Sequence, residues 1–154
     1  MTKSKDGGQG DMAEMRVRRI HNGTVIDHIP AGEALDVLRI LGIDGTQPIT
    51  VSVVMYVESA TMGRKDIVKI EERELRPKEI DKISLIAPDA TYNIVRGYKV
   101  IKKHHVSVPK VLEGMLRCEN PKCITNAEEP VEPKATVISK RPLKIRCYYC
   151  GRYI

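Results

Sequence analysis

The sequence contains no phenylalanine or tryptophan and only six tyrosines. A hydrophobic core must therefore be built from isoleucine, valine and leucine. Proteins that bind single-stranded nucleic acid without sequence preference stack successive bases on aromatic side chains. With so few aromatic residues, an extended stacking platform of that kind is not expected.

The chain also lacks a long apolar run. No segment has the roughly 20 apolar residues that a transmembrane helix needs, and nothing near the N-terminus resembles a signal peptide. We therefore expect a cytoplasmic protein with reduced cysteines and no membrane partner. The formal net charge of +6 favours an anionic partner, although four metal-bound thiolates would lower this charge.

All four cysteines lie near the C-terminus, in two close pairs. Cys118 and Cys123 form the first pair, and Cys147 and Cys150 form the second after 23 intervening residues. Two close pairs separated by a long gap are typical of tetrahedral zinc sites, because each pair forms a tight turn that places two sulfurs about 2.3 Å from the ion. We predict one structural Zn²⁺ per chain.

Other roles for the cysteines agree less well with the sequence. Disulfides would require an oxidising compartment, and a redox role for Cys147 and Cys150 would require a following helix, for which only four residues remain. Four sulfur ligands also leave no open position for a catalytic water. A segment from about residue 116 to 154 is too short to be held by apolar burial alone, so metal binding must supply folding free energy.

The remainder of the chain alternates strand-like and helix-like patterns. We expect a disordered tail at residues 1–14, an N-terminal domain at 15–106 and a zinc-binding domain at 107–154, with residues 106–116 serving as a connector. In the first domain, strands are predicted at 15–20, 24–30, 49–57, 64–70, 91–95 and 98–101, and helices at 32–41 and 77–85. In the second, short strands are predicted at 136–139 and 144–146.

This order predicts an α+β fold. The first domain is expected to be a βαββαβ-like antiparallel sheet with two helices on one face. The second is expected to be a small all-β module built around the metal.

Four ordered motifs resemble the regulatory chain of aspartate carbamoyltransferase. They are residues 23–30; residues 62–66 with 69–71; Ala87-Pro88 with Ala90, Thr91 and Asn93; and the cysteine spacing. The resemblance extends over about residues 17–153. It implies a non-catalytic subunit for allosteric regulation of pyrimidine biosynthesis, with an N-terminal domain that forms a homodimer and a zinc domain that docks on trimers of catalytic chains. It also implies that CTP and ATP compete for one site and that UTP can assist CTP.

Lysines are the expected phosphate ligands, because they form charge-assisted hydrogen bonds with the triphosphate. Lys65 and Lys69 are four residues apart, which places them on one side of either a strand or a helix. The resemblance assigns Lys103 as a third lysine, but Lys102 and His104 leave open which side chain contacts the nucleotide. Without the resemblance, spaced lysines are more often simply a solvated surface.

Other residues complete the predicted nucleotide site. The Asp27 carboxylate can accept a hydrogen bond from a ribose hydroxyl, and the His28 imidazole can donate or accept one. Without the resemblance, a turn-capping aspartate and a half-buried histidine would be the simpler interpretation. The resemblance adds residues around the base and the assisting nucleotide: Val17, Arg18, Arg19, Ile20, Asn93, Tyr98 and Val100.

Two other classes of function remain as alternatives. A zinc-ribbon protein that binds nucleic acid would combine the same four cysteines with basic charge, and its affinity would fall steeply with salt. An enzyme is disfavoured because the sequence has no P-loop, no Ser/His/Asp set and no recognisable pair of catalytic carboxylates. The nucleotide-effector hypothesis, by contrast, predicts no nucleic-acid partner.

Overall fold

The computed structural model describes residues 20–154. The predicted tail, the strand at 15–20 up to residue 19, and three candidate site residues, Val17, Arg18 and Arg19, lie outside the described residues.

A five-stranded antiparallel sheet forms the first part of the structure. Its strands are β1 (Gly23–Pro30), β2 (Val51–Ser59), β3 (Gly63–Glu71), β4 (Thr91–Arg96) and β5 (Lys99–His105), in the spatial order β2-β3-β1-β4-β5. Two helices, α1 (Ala34–Ile40) and α2 (Pro77–Ser84), connect the strands. The predicted α+β fold is confirmed, and β5 extends the βαββαβ order by one edge strand.

The core lies between this sheet and the two helices. Residues on one face of the central strands, including Ile26 and Val68, pack with Val37 of α1 and Ile83 of α2, and all four are fully buried. Both helices therefore cover the same face. Because side chains alternate along a strand, Lys65 and Lys69 of β3 lie on the opposite face.

Helix α1 ends where its glycine predicts. Gly42 adopts a left-handed conformation with φ of 75°, its N–H donates to the Arg39 carbonyl, and the Ile43 N–H donates to the Leu38 carbonyl. This pair of hydrogen bonds is a Schellman motif, which satisfies carbonyls at the end of the helix.

Helices α1 and α2 have seven and eight residues, and no helix in the described part of the chain is long and apolar enough to span a membrane.

A smaller antiparallel sheet forms the second part. Its strands are β6 (Val111–Glu113), β7 (Lys134–Lys140) and β8 (Leu143–Cys147), and a 3₁₀ helix (Ile124–Asn126) lies between β6 and β7. The prediction that residues 106–116 are only a connector was wrong, because β6 pairs with β7 through Leu112 and Ala135. A three-residue strand is too short to produce a recognisable alternating pattern.

Candidate metal centre and nucleotide-binding face

The four cysteines converge on one point between the two turns that carry them. Their sulfurs all lie within 4.8 Å of one another, with 3.5 Å between the Sγ atoms of Cys118 and Cys150 and 3.6 Å between those of Cys123 and Cys147. A tetrahedral ion with bonds of about 2.3 Å would place its sulfurs about 3.8 Å apart. All four cysteines are free thiols, so the cluster has the composition and spacing of a four-sulfur metal site.

Backbone hydrogen bonds hold both turns. In the first, the Cys123 N–H donates to the Asn120 carbonyl at 3.0 Å. In the second, the Gly151 N–H donates to the Cys147 carbonyl at 3.0 Å, and Gly151 has a φ of 76° that favours glycine. These hydrogen bonds fix the two turns, and the two sulfurs of each turn lie in the same four-sulfur cluster.

The thiols have unequal affinities for protons. The backbone N–H of Arg152 lowers the pKa of Cys150 to about 6. The backbone N–H of Asn120 lowers the pKa of Cys118, but desolvation and hydrogen bonds with the other cysteines outweigh it and raise this pKa to about 12. Without a metal, Cys118 therefore stays protonated at neutral pH, and metal binding must displace its proton.

The face of the first sheet opposite the helices carries most of the other candidate residues. Strand pairing places Lys69 beside Val25, Val25 beside Asn93, and Asn93 beside Lys103, in one row across β3, β1, β4 and β5. With neighbouring strands about 4.8 Å apart, the Cα atoms of the two lysines lie about 14 Å apart. They therefore flank Asn93 from the two sides.

Asn93 has an unsatisfied polar atom. Its Oδ1 is buried, and it is the one buried side-chain oxygen or nitrogen in the described residues without a hydrogen-bond partner. Buried polar atoms are nearly always paired, so an exception needs an explanation such as a ligand or a water molecule. Asn93 lies in the row between Lys69 and Lys103, so a ligand on this face would meet positive charge on both sides of it.

A second group of polar side chains lies on the same face, in the next row of side chains along the strands. The Lys65 ammonium is 3.0 Å from Oδ1 of Asp27, whose carboxylate also accepts a hydrogen bond from the His28 N–H at 2.6 Å. The His28 Nδ1 is 3.0 Å from the Thr91 hydroxyl. His28 has a φ of 59° at a β-bulge in β1, where the pairing with β3 shifts. The bulge lets two adjacent residues, Asp27 and His28, contribute to one group.

Strand alternation separates Lys103 from its neighbours. Lys102 pairs with Ile94 and His104 pairs with Tyr92, so both lie on the helix side of the sheet. The His104 and Tyr92 rings stack with centroids 5.4 Å apart. Of these three basic residues, only Lys103 shares the face of Asn93.

The remaining candidates, Ile20, Tyr98 and Val100, lie just before β1, in the β4–β5 turn and at the start of β5. Val100 pairs with Val95, and Ile20 is buried. The Tyr98 N–H donates to the His21 carbonyl at 2.9 Å, and the two rings lie 4.7 Å apart. The sequence alone indicated no role for Thr91, Thr125 or Asn126. Thr91 contacts His28 through the pairing of β1 with β4, and the other two reach the cysteine turn through the local fold of the 3₁₀ helix.

Comparisons with known proteins cover nearly all of the chain. Residues 15–107 match the family described as aspartate carbamoyltransferase regulatory chain, allosteric domain, and residues 110–154 match the corresponding metal-binding domain. An aspartate carbamoyltransferase regulatory chain from Methanothrix thermoacetophila is 58% identical over 139 residues, which cover 90% of each chain. One from Hyperthermus butylicus is 57% identical over 139 residues, covering 90% of this chain and 87% of the relative. One from Pyrobaculum neutrophilum is 57% identical over 141 residues, covering 91% and 93% respectively.

Proposed function

This chain belongs to the aspartate carbamoyltransferase regulatory chain family, and we propose that it senses CTP, ATP and UTP in the cytoplasm and transmits their binding to catalytic chains. It is a non-catalytic regulatory chain with an allosteric domain and a metal-binding domain. We propose that these domains occupy residues 15–106 and 107–154, and that the metal is one Zn²⁺ bound by Cys118, Cys123, Cys147 and Cys150.

The observation that carries the nucleotide proposal is the row containing Lys69, Asn93 and Lys103. It combines two cations with a buried, unpartnered oxygen on one face of the sheet. Lys65 and Asp27 lie on the same face, in the next row of side chains along the strands. There the ammonium group can bind phosphate, and the carboxylate can accept a hydrogen bond from a ribose hydroxyl. A nucleoside triphosphate supplies complementary groups for all of these residues.

Substitution of single lysines tests this site. We expect Lys69→Ala and Lys103→Ala each to weaken binding of CTP and ATP by about 10- to 100-fold, because each loses a charge-assisted contact worth about 1.5–3 kcal/mol. Lys102→Ala is the matched control, since it removes the same charge from the other face and should change the affinity less than about threefold. Isothermal titration calorimetry of the full chain measures these affinities.

Two results would contradict the site. Equal losses of nucleotide affinity from Lys102→Ala and Lys103→Ala would show that binding depends only on the net charge of the chain. Absence of heat with every ribonucleotide, together with tight and salt-sensitive binding of DNA, would favour the nucleic-acid alternative.

Allosteric control requires that the nucleotide bind with different affinities to two states of the assembly. Such coupling typically amounts to about 1–3 kcal/mol. We propose that the second domain docks on the catalytic chains, which form trimers. It exposes several large apolar side chains that a partner would cover: Ile124, Ile138, Tyr148, Tyr149 and Tyr153.

We also propose that two regulatory chains associate through the β2 edge of the first sheet. Within residues 20–154, no strand pairs with the outer edge of β2. Next to it lies a groove with the apolar lining residues Leu35, Leu38, Ile43, Ile49, Val51 and Val53, and with Arg39, Asp44 and Gln47 as its polar ones. Leu35 is 55% exposed, so a second copy would shield both an open strand edge and an apolar surface.

A charge in this groove tests the dimer. We expect Leu35→Glu to convert a dimer into a monomer in sedimentation-velocity experiments, because the carboxylate would lose its hydration in the interface. Ile138→Glu, at a similarly exposed position of the second domain, should leave the dimer intact. A dimer that tolerates Leu35→Glu would place the interface elsewhere.

A further inference from the structure

A buried threonine lies against the candidate metal centre and is not one of its four ligands. Thr125 belongs to the 3₁₀ helix Ile124–Asn126 and is only 3% exposed. Its hydroxyl donates a hydrogen bond to the Cys123 sulfur at 3.3 Å. No other side-chain hydroxyl in the described part of the chain bonds to any of the four sulfurs.

The direction of this hydrogen bond follows from the chemistry of a loaded site. A metal-bound cysteine is a thiolate, which carries no proton, so the threonine hydroxyl must be the donor. Four thiolates around one divalent ion carry a net negative charge. A donor directed at one sulfur takes up part of that charge and also holds the sulfur in its ligating position.

The neighbouring residue holds Thr125 in place. The Asn126 Nδ2 donates to the carbonyls of both Cys118 and Asn120, at 2.8 Å each. These two bonds tie the 3₁₀ helix to the turn that carries the first pair of cysteines. The segment that carries Thr125 is therefore fixed by hydrogen bonds, so the hydroxyl stays directed at the Cys123 sulfur.

We propose that Thr125 is a positioning residue that governs how tightly the four-cysteine centre retains its metal. The proposal rests on the proposed metal site, but it goes beyond the four ligands to a residue that never touches the ion. Partners of metal ligands typically contribute a factor of about 10–100 to metal affinity.

The test compares three variants of the full-length chain loaded with Zn²⁺ or Co²⁺. Thr125→Val keeps the shape but removes the hydroxyl, and Thr125→Ser keeps the hydroxyl. Thr136→Val is the matched control, since this half-buried residue lies on β7 of the same small sheet and its hydroxyl makes no bond within residues 20–154. The measurements are the rate of Zn²⁺ loss to a chromogenic chelator and the sulfur-to-cobalt charge-transfer absorption.

We expect Thr125→Val to lose Zn²⁺ about tenfold faster, because the Cys123 sulfur is no longer held in its ligating position and its negative charge is no longer partly offset. The cobalt absorption should shift to longer wavelength, because the Cys123 sulfur becomes more electron-rich without the hydrogen bond. Thr125→Ser and Thr136→Val should resemble the parent chain in both measurements. The proposal is overturned if Thr125→Val matches the parent, if Thr125→Ser fails equally, or if Thr136→Val loses metal as fast. If the parent chain binds neither ion, the proposed metal site itself fails.

Discussion

Replacement of Cys118 by alanine is expected to produce a chain that still binds CTP or ATP but no longer joins catalytic chains. The small sheet has few fully apolar buried residues, with Leu112, Ala135 and Ile145 as its core. Structural zinc sites supply about 10–16 kcal/mol of apparent binding free energy, which in such a domain is folding free energy. Loss of one ligand therefore unfolds the surface that would contact the partner.

Size-exclusion chromatography with light scattering measures assembly, and calorimetry on the same preparation measures nucleotide binding. Ser139→Ala on β7 is the control, because it likewise removes a single heavy atom from a side chain of the second domain but leaves all four cysteines in place. Treatment of the parent chain with a strong chelator should reproduce the loss of assembly. Normal assembly of the metal-free chain would contradict the argument.

Local sequence patterns predicted features in both halves of the chain. The spacing of Cys118, Cys123, Cys147 and Cys150 was sufficient to predict a single cluster, because short turns impose the geometry of each pair. The alternation of β3 also predicted that Lys65 and Lys69 share a face. The inference about Lys65 and Lys69 depends only on residues close together in the sequence, and the inference about the cysteines depends on two tight turns and on the tetrahedral geometry of four sulfurs around one ion.

Contacts between distant strands could not be predicted in the same way. Whether Lys102 or Lys103 shares the face of Asn93 depends on the register of β5 against β4, which sequence alternation alone leaves open within a run of basic residues. The position of Asn93 between two lysines requires four strands to be aligned. Strand β6 was missed because three residues carry no measurable period.

Asp66 was predicted only as part of a strand and a family motif, yet Asp66→Ala is expected to be among the most destabilising substitutions in the first domain. Asp66 is fully buried, and its Oδ2 accepts hydrogen bonds from the N–H groups of Gly32 and Ala34, at 2.9 and 3.0 Å. Its Oδ1 accepts one from Tyr56 at 2.9 Å. No cation pairs with it among residues 20–154, so these N–H groups provide its stabilisation.

Each buried donor left without an acceptor costs about 1–3 kcal/mol, so we expect Asp66→Ala to lower the free energy of unfolding by about 3–5 kcal/mol. Urea denaturation of the full chain measures this loss. Lys65→Ala is the informative control, since it removes the ion pair with Asp27 and a proposed phosphate ligand but none of the three backbone contacts. It should weaken nucleotide binding more than stability.

Hydrogen exchange can separate the role of Asp66 from a general loss of packing. The amides of Gly32, Ala34 and Tyr56 lie in the turn before α1, at the start of α1 and at the bulge of β2, where Tyr56 has a φ of 61°. Because they share one acceptor residue, Asp66→Ala should reduce the protection of all three together, more than that of neighbouring sheet amides. Unchanged protection at these amides, or a loss of stability below about 1 kcal/mol, would show that the carboxylate does not hold the helix and the edge strand together.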